Sequence, residues 1–384
     1  MSQLLAEGYD ISIQANHLVV KRIPYVNAER QIKYGMLVTV LRLQNDVTLP
    51  PDDHTIYFVG EYPCDANGQP IEAIRNGPER TSIGNLTTDH RFSAKPQPSG
   101  KYDDFHHKIV TYAALLSGPA QTIDPGVKPN PGGFIPAEED DDSVFLYLDT
   151  ASPRAEITAV TAKLERKKVV IVGLGGTGCY VLDFVAKTPV EEVHLYDDDT
   201  FEQHNAFRAP GAASGDELSA NSTKVAYLAG IYCKMRRGIV AHPERVGASN
   251  IEELRDADFV FLCIDDGPSK GLIIAKLEEF GVSFVDAGMG LFLEDGALGG
   301  ILRTTTSTPT MRDHVRDGKR ISLSKDEGEN EYERNIQVAD LNALNAIMAV
   351  MKWKKLWGFY IDLEREHHST YTIDGNEMTN EDCE

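Results

Sequence analysis

Cysteine is scarce in this chain of 384 residues, with Cys64, Cys179, Cys233, Cys263 and Cys383 the whole set. No two of them form a Cys-x-x-Cys pair, so the closely spaced ligands of a structural zinc site are missing and no zinc is expected. The odd number and wide spacing fit a reducing compartment without a disulfide framework. Positive charge is also in short supply: 38 Lys and Arg stand against 59 Asp and Glu, a formal charge of −21. That balance argues against a nucleic-acid partner, because phosphate backbones are held by clustered Lys and Arg. It leaves room for a nucleotide, which needs only a few local cations and backbone N–H groups. Long apolar runs are absent, and the N-terminus (MSQLLAEGYDIS) carries no basic stretch followed by an apolar core. The expectation is a cytoplasmic protein without a membrane partner.

The length allows two domains with their own cores. The expected division is 1–142 and 143–384. In the first, β-type runs recur at His17–Lys21, Met36–Arg42 and His54–Val59, with turn chemistry at Asp65-Ala66-Asn67-Gly68. That pattern predicts a small, mixed, strand-rich α+β domain. Residues 118–142 hold Pro119, Pro125, Pro129, Pro131 and Pro136 and the acidic run Glu138–Asp142, and read as an interdomain loop.

Beyond residue 143 the character changes. Ile157 to Arg166 reads as a short helix, and the apolar run Lys168–Gly173 reads as a strand buried on both faces. Further strand candidates are Glu192–Tyr196, Phe259–Ile264 and Ser283–Asp286, with helical stretches near 177–187, 221–235 and 268–280. Such alternation predicts a doubly wound, mainly parallel α/β sheet of Rossmann type. A long amphipathic helix is predicted over Asn335–Trp357, packing through Leu341, Leu344, Met348 and Met351.

The motif Gly173-Leu-Gly175-Gly176-Thr-Gly178 follows the first of these strands and opens a helix. Glycines there permit a tight turn and bring backbone N–H groups to phosphate oxygens at a helix N-terminus. About 20 residues on, Asp197-Asp198-Asp199 ends the next strand, where a carboxylate can accept hydrogen bonds from a ribose. Then come His204-Asn205-Ala206-Phe207-Arg208, Lys224 on a predicted helix, and Asp265-Asp266 after a strand. Cleavage between α- and β-phosphates builds negative charge that preorganised cations stabilise, and Mg2+ is held by hard carboxylate oxygens.

This ordered set resembles the ThiF/MoeB/HesA family, the superfamily of the adenylation domains of ubiquitin-activating enzymes. The family pattern runs Gly-x-Gly-Gly-x-Gly, then Asp-x-Asp, Asn-x-x-Arg, a downstream Lys and a later Asp. This chain keeps it as Gly173–Gly178, Asp197–Asp199, Asn205–Arg208, Lys224 and Asp265. The resemblance implies ATP-dependent adenylation of the C-terminal glycine carboxylate of a ubiquitin-like protein. It implies ribose binding by Asp197, phosphate contacts from Asn205, Arg208 and Lys224, and Mg2+ held by Asp265 with Asp199. Relatives borrow an Arg from the partner subunit of a homodimer, and Arg154 is the candidate here, with Arg166 as the alternative. Asp198 is expected to be solvated, and the His204 imidazole to be idle. A sulfur-carrier protein is the alternative substrate. An NAD-dependent oxidoreductase and an inactive nucleotide-binding scaffold are the remaining readings.

The chain departs from the family at the acyl-transfer step. No cysteine lies between Gly267 and Asn380. The corresponding loop is expected at Thr304–Thr310 and onward to Asp326, with Ser307, Thr308 or Thr310 as ester-forming hydroxyls. Cys383, on a C-terminal tail, is a further candidate, although its acidic neighbours suppress thiolate. Direct hand-over to an incoming thiol or amine, for example on a conjugating-enzyme-like protein, or a hydroxyl intermediate, is preferred to Cys383. Cys64 is read as a strand-end residue without chemistry.

Overall fold

The computed structural model describes residues 3–4, 7–14, 16–41, 43–44, 47–77, 80–83, 86–130, 143–147, 149–155, 157–323 and 336–383. The chain divides into two compact units, Met1–Ile135 with Pro153–Glu156, and Pro136–Ser152 with Ile157–Glu384.

The first unit is built on an antiparallel meander. Its strands β1 (Asp10–Gln14), β2 (His17–Val26), β3 (Ile32–Val40), β4 (Thr55–Val59) and β5 (His90–Ser93) lie side by side in chain order. Alternation along the strands sends Leu18, Val20, Leu37, Ile56, Phe58 and Phe92 to one face. There they meet Ile109, Tyr112, Ala113 and Leu116 of helix α1 (Phe105–Ile123). Asp104 caps that helix by accepting the His107 N–H at 2.7 Å.

Helix α1 corrects the reading of residues 118–142 as a linker from its first residue, since Pro119 lies inside it and Ala120 is buried. Proline deprives the Leu115 carbonyl of its helical donor, and Leu115 stands on an exposed face of the helix. The remainder of that expected linker from 131 to 142 lies outside the described residues. Lys108 also faces inward from α1, bonded to Thr39 Oγ1 at 2.9 Å and the Asp53 carbonyl at 3.1 Å. Burial pushes its ammonium down to about 8.

The second unit carries the doubly wound sheet. Its parallel strands are β6 (Lys168–Val172), β7 (Glu192–Tyr196), β8 (Ile239–His242), β9 (Phe259–Leu262) and the first part of β10 (Ser283–Glu294). Antiparallel strands β11 (Ala297–Ser307), β12 (Glu366–Thr372) and β13 (Glu377–Cys383) extend it, giving the order β8-β7-β6-β9-β10-β11-β12-β13. Helix α2 (Gly176–Val185) follows β6, α3 (Gln203–Ala206) and α4 (Lys224–Tyr232) follow β7, and α5 (Gly267–Phe280) joins β9 to β10. Helix α6 (Ala339–Leu356) lies beside α2. Apolar clusters fill both faces, one around Val169, Ile171 and Phe261, the other around Val170, Val260 and Phe284.

Several local expectations are corrected. The helix read over 157–166 is one α-turn, Thr158–Thr161, and a 3-10 turn, Ala162–Leu164. On α6 Met348 is buried as expected, together with Asn342, Asn345, Ala346, Ala349 and Trp353, whereas Leu341 and Leu344 are half-buried and Met351 is 44% exposed. The cause is close approach: a Cβ on Gly176 would strike the Asn342 side chain, so only small or polar residues fit that crossing.

The Thr304–Thr310 stretch was expected as a loop, yet Thr304–Ser307 is the buried end of β11. A run of β-branched threonines suits a strand, and Thr305 Oγ1 lies 3.0 Å from His368 Nδ1 of β12. The stretch around Cys383, expected as a tail, is likewise a strand, with Cys383 paired opposite Glu366. Residues 324–335, which include Asp326 at the end of that expected loop, lie outside the description.

Candidate nucleotide site

The chain runs from β6 outward to β7 and β8, then returns to β9 on the other side of β6. Strand order therefore reverses beside β6, and the loops after β6 and β9 part to leave a crevice outside the carboxyl ends of the strands. A cavity of about 220 Å3 sits there. Its walls include Gly173, Gly175, Asp197, Asp198, Asp199, Lys224 and Asp265.

The four motif glycines serve different needs. Gly173 adopts φ +89°, and a Cβ on Gly178 would run into the Gly173 carbonyl. Gly176 makes room for Asn342. Gly175 is different: a Cβ there would meet no protein atom within 4 Å, so its bareness leaves space at the N-terminus of α2, in the cavity wall.

Beyond β7 the carboxylates are held in place. Asp197 Oδ2 accepts the Leu174 N–H at 2.7 Å, and Oδ1 accepts the Asp199 N–H at 3.0 Å. Lys224, at the start of α4, is buried and reaches Asp199 at 2.6 Å and Asp197 at 3.4 Å. The hydrogen bond from Lys224 holds the Asp199 carboxyl below its ordinary range. Asp197, Asp198 and Asp199 each present an oxygen within 4.8 Å of the others. Asp265 lines the same cavity from the end of β9, and Asp266 caps α5 by accepting the Ser269 N–H at 2.9 Å.

Asp198 is exposed, as expected, and it also carries an ion pair: Arg245 Nε lies 2.8 Å from each of its carboxylate oxygens. Arg245, Val246, Tyr196, Ile264, Ser269 and Ile273 also line the cavity, and the sequence does not mark them as site residues. Nothing in the glycine motif or the Asn-x-x-Arg spacing points to position 245, which follows the short strand β8.

Asn205 and Arg208 stand beside the cavity rather than in its lining. Asn205 is buried, and its Oδ1 accepts the Glu202 N–H at 2.8 Å in a capping box around α3. Arg208 keeps a buried Nε without a hydrogen-bond partner among the described residues. Burial pushes the Cys179 thiol up to about 12, with Lys224 and Arg208 opposing the shift. His204 is exposed and paired with Glu202 at 3.1 Å. Arg154 ends the short helix Ala151–Arg154, and its side chain lies outside the description. Arg166 lays its guanidinium 4.2 Å from the centre of the Trp357 ring.

The acyl-relay candidates stand apart. Ser307 pairs with Phe284, which pairs with Val260, so it is level with the middle of β9, and the chain then runs on away from the cavity. Cys383 lies on the outermost strand, four lanes from β9 and roughly 20 Å across the sheet.

The family model for the ThiF family matches residues 152–383, more than half of the chain. The chain belongs to the ThiF family. A domain of unknown function, DUF6791, matches residues 1–150. The chain is similar to the adenylyltransferase and sulfurtransferase UBA4 of Saccharomyces cerevisiae, at 26% identity over 140 residues, 33% of this chain and 29% of that protein. UBA4 of Eremothecium gossypii is 29% identical over 136 residues, 34% of this chain and 30% of that protein. The chain thus matches under a third of the length of these curated relatives. Among solved structures, E. coli MccB with AMPCPP and MccA aligns at TM-score 0.47 and 17% identity, covering 65% of this chain and 76% of that one. PaaA aligns at TM-score 0.46 and 16% identity, covering 58% and 75%.

Proposed function

We propose that this ThiF-family chain uses ATP to adenylate the C-terminal glycine carboxylate of a ubiquitin-like protein. The observation that carries the reading is the meeting of Gly175, Asp197, Lys224 and Asp265 around one cavity at the point where strand order reverses. In the reaction a carboxylate oxygen bonds to the α-phosphorus and the bond to the β-phosphate oxygen breaks, releasing pyrophosphate. Asp197 holds the ribose hydroxyls, the N–H groups at the start of α2 face the phosphates, and Lys224 offsets the charge that develops between them. Arg208, with its unpartnered Nε, and Asn205 approach the phosphates from α3 and the turn after it.

The donor set fits Mg2+, since Asp199 and Asp265 offer hard carboxylate oxygens in the cavity wall. Bound there, the ion would neutralise phosphate charge. Asp199 also keeps Lys224 in place, so it serves two charges at once.

The acyl group passes directly to an incoming thiol or amine, a reading supported by the distance of Ser307 and Cys383 from the cavity. A homodimer with Arg154 lent across the interface belongs to the same proposal. On the β10–β11 arm exposed Phe292 and Ile301 share one face and Leu293 and Leu298 the other, apolar surface that a second copy would cover. A sulfur-carrier substrate is the second reading, favoured by the likeness to an adenylyltransferase and sulfurtransferase.

The test is ATP–pyrophosphate exchange in the presence of a small protein ending in glycine. Exchange should depend on that protein, and Asp265→Ala should lower it by about 10²-fold or more. Exchange that ignores both the added protein and the Asp265→Ala change would sink the proposal.

A further inference from the structure

Among the described residues, Arg245 and Lys224 are the two cationic side chains in the cavity lining. The two stand at different ends. Lys224 reaches Asp199 and Asp197 beside the glycine loop. Arg245 follows β8, two lanes from β6 and roughly 10 Å across the sheet from the N-terminus of α2. The Asp198–Arg245 pair thus adjoins Asp197, the proposed ribose ligand, on the side of β8, where a nucleoside rather than its phosphates would extend.

Its geometry is unusual for a structural bridge. A side-on pairing of arginine with a carboxylate uses Nε and one Nη together. Here Nε alone contacts both oxygens of Asp198, each at 2.8 Å. Among the described residues neither Nη nitrogen has a hydrogen-bond partner. The side chain is 73% exposed, yet its root is fixed by Asp198. Aliphatic Val246, Ile264 and Ile273 line the cavity nearby, the surface that a flat aromatic ring buries well.

We propose that Arg245 is a specificity-determining residue that covers the purine base of the bound nucleotide. Its planar guanidinium stacks on the face of the base, its Nη groups stay at the rim where water can reach them, and Asp198 sets the plane. The inference rests on the nucleotide-binding reading of this cavity and adds which end of the ligand Arg245 contacts.

The experiment is calorimetric titration of the full chain with Mg-ATP and, separately, with inorganic tripolyphosphate. Arg245→Ala should weaken ATP about tenfold and leave tripolyphosphate unchanged. Arg245→Lys, which keeps the charge but not the plane, should fail to restore ATP affinity. Asp198→Asn should give a smaller loss confined to ATP. Equal weakening of ATP and tripolyphosphate would make Arg245 a phosphate contact and overturn the proposal. So would unchanged ATP affinity in Arg245→Ala, or full rescue by Arg245→Lys. Failure of the wild-type chain to bind ATP at all would overturn the nucleotide reading together with this one, so the two failures are told apart. Thermal unfolding of each variant checks that the exposed change has left the fold intact.

Discussion

The parallel and antiparallel halves of the eight-stranded sheet use polar residues in opposite ways. In the parallel half the strands are apolar, and chemistry collects in the loops beyond their carboxyl ends, where Gly173, Asp197 and Asp265 follow β6, β7 and β9. In the antiparallel half polar residues lie within the strands and are buried there, as with Thr304–Ser307 of β11 and Glu366–Ser369 of β12. Parallel strands all point the same way, so their ends converge on one ligand. Antiparallel strands alternate, so their hydroxyls pair across the ladder instead. A Ser/Thr run in the second setting is structural even when its composition imitates a reactive loop.

Asp286 joins the two halves and offers the strongest way to break the comparison. It is the last residue of β10 paired with β9, facing Leu262, and it is fully buried. Its cations come one from each half: Lys270 of α5 at 2.7 Å and Arg303 of β11 at 3.1 Å. Asp286→Ala strands a buried ammonium and should cost about 3–5 kcal/mol in urea unfolding. A loss below about 1 kcal/mol would mean that the halves are not joined through this group.

Within the parallel half, two glycines of one motif should separate stability from binding. Gly178→Ala drives a methyl into the Gly173 carbonyl and should destabilise by about 1–3 kcal/mol, with the backbone having to shift. Gly175→Ala meets only open space and should change stability by less than about 0.5 kcal/mol. The same methyl fills room in the cavity wall, so ATP affinity measured by titration should fall. Equal stability losses in the two variants would refute the division of labour.

These contrasts also explain what was legible. Strands β6 and β9 announced themselves because a strand buried on both faces is a continuous apolar run, while Glu192 and His194 break that run in β7. The glycine loop and its acids were readable because a phosphate turn needs particular residues at fixed spacing. Strands β12 (EHHSTYT) and β13 (EMTNEDC) carry no such signature. Their burial is settled by partners distant in sequence, such as Thr305 with His368. Arg245 stayed hidden for the same reason, since its meaning lies in Asp198, 47 residues away. On α6 hydrophobicity was right about Met348 and wrong about Met351, because the crossing beside Gly176 is filled by the Asn342 amide.

The smallest expected effect concerns the antiparallel half itself. If its hydroxyls and thiol are structural, removing them should leave chemistry untouched. Ser307 Oγ is buried without a hydrogen-bond partner, so Ser307→Ala deletes an unsatisfied group and should be neutral or stabilising by up to about 1 kcal/mol. Cys383 is exposed on an edge strand, and Cys383→Ser should shift stability by less than about 0.5 kcal/mol. Both should keep ATP–pyrophosphate exchange and the later transfer of the acyl group within about twofold of the parent, a difference under about 0.5 kcal/mol. The informative measurement is mass spectrometry of the chain after reaction with ATP and the glycine-ending protein. A covalent adduct that survives thiol reagents, is cleaved by hydroxide and disappears in Ser307→Ala would place the relay in the antiparallel half. Absence of any adduct in all three proteins, with transfer intact, leaves the parallel half as the only seat of chemistry and the partner's nucleophile as the one that attacks.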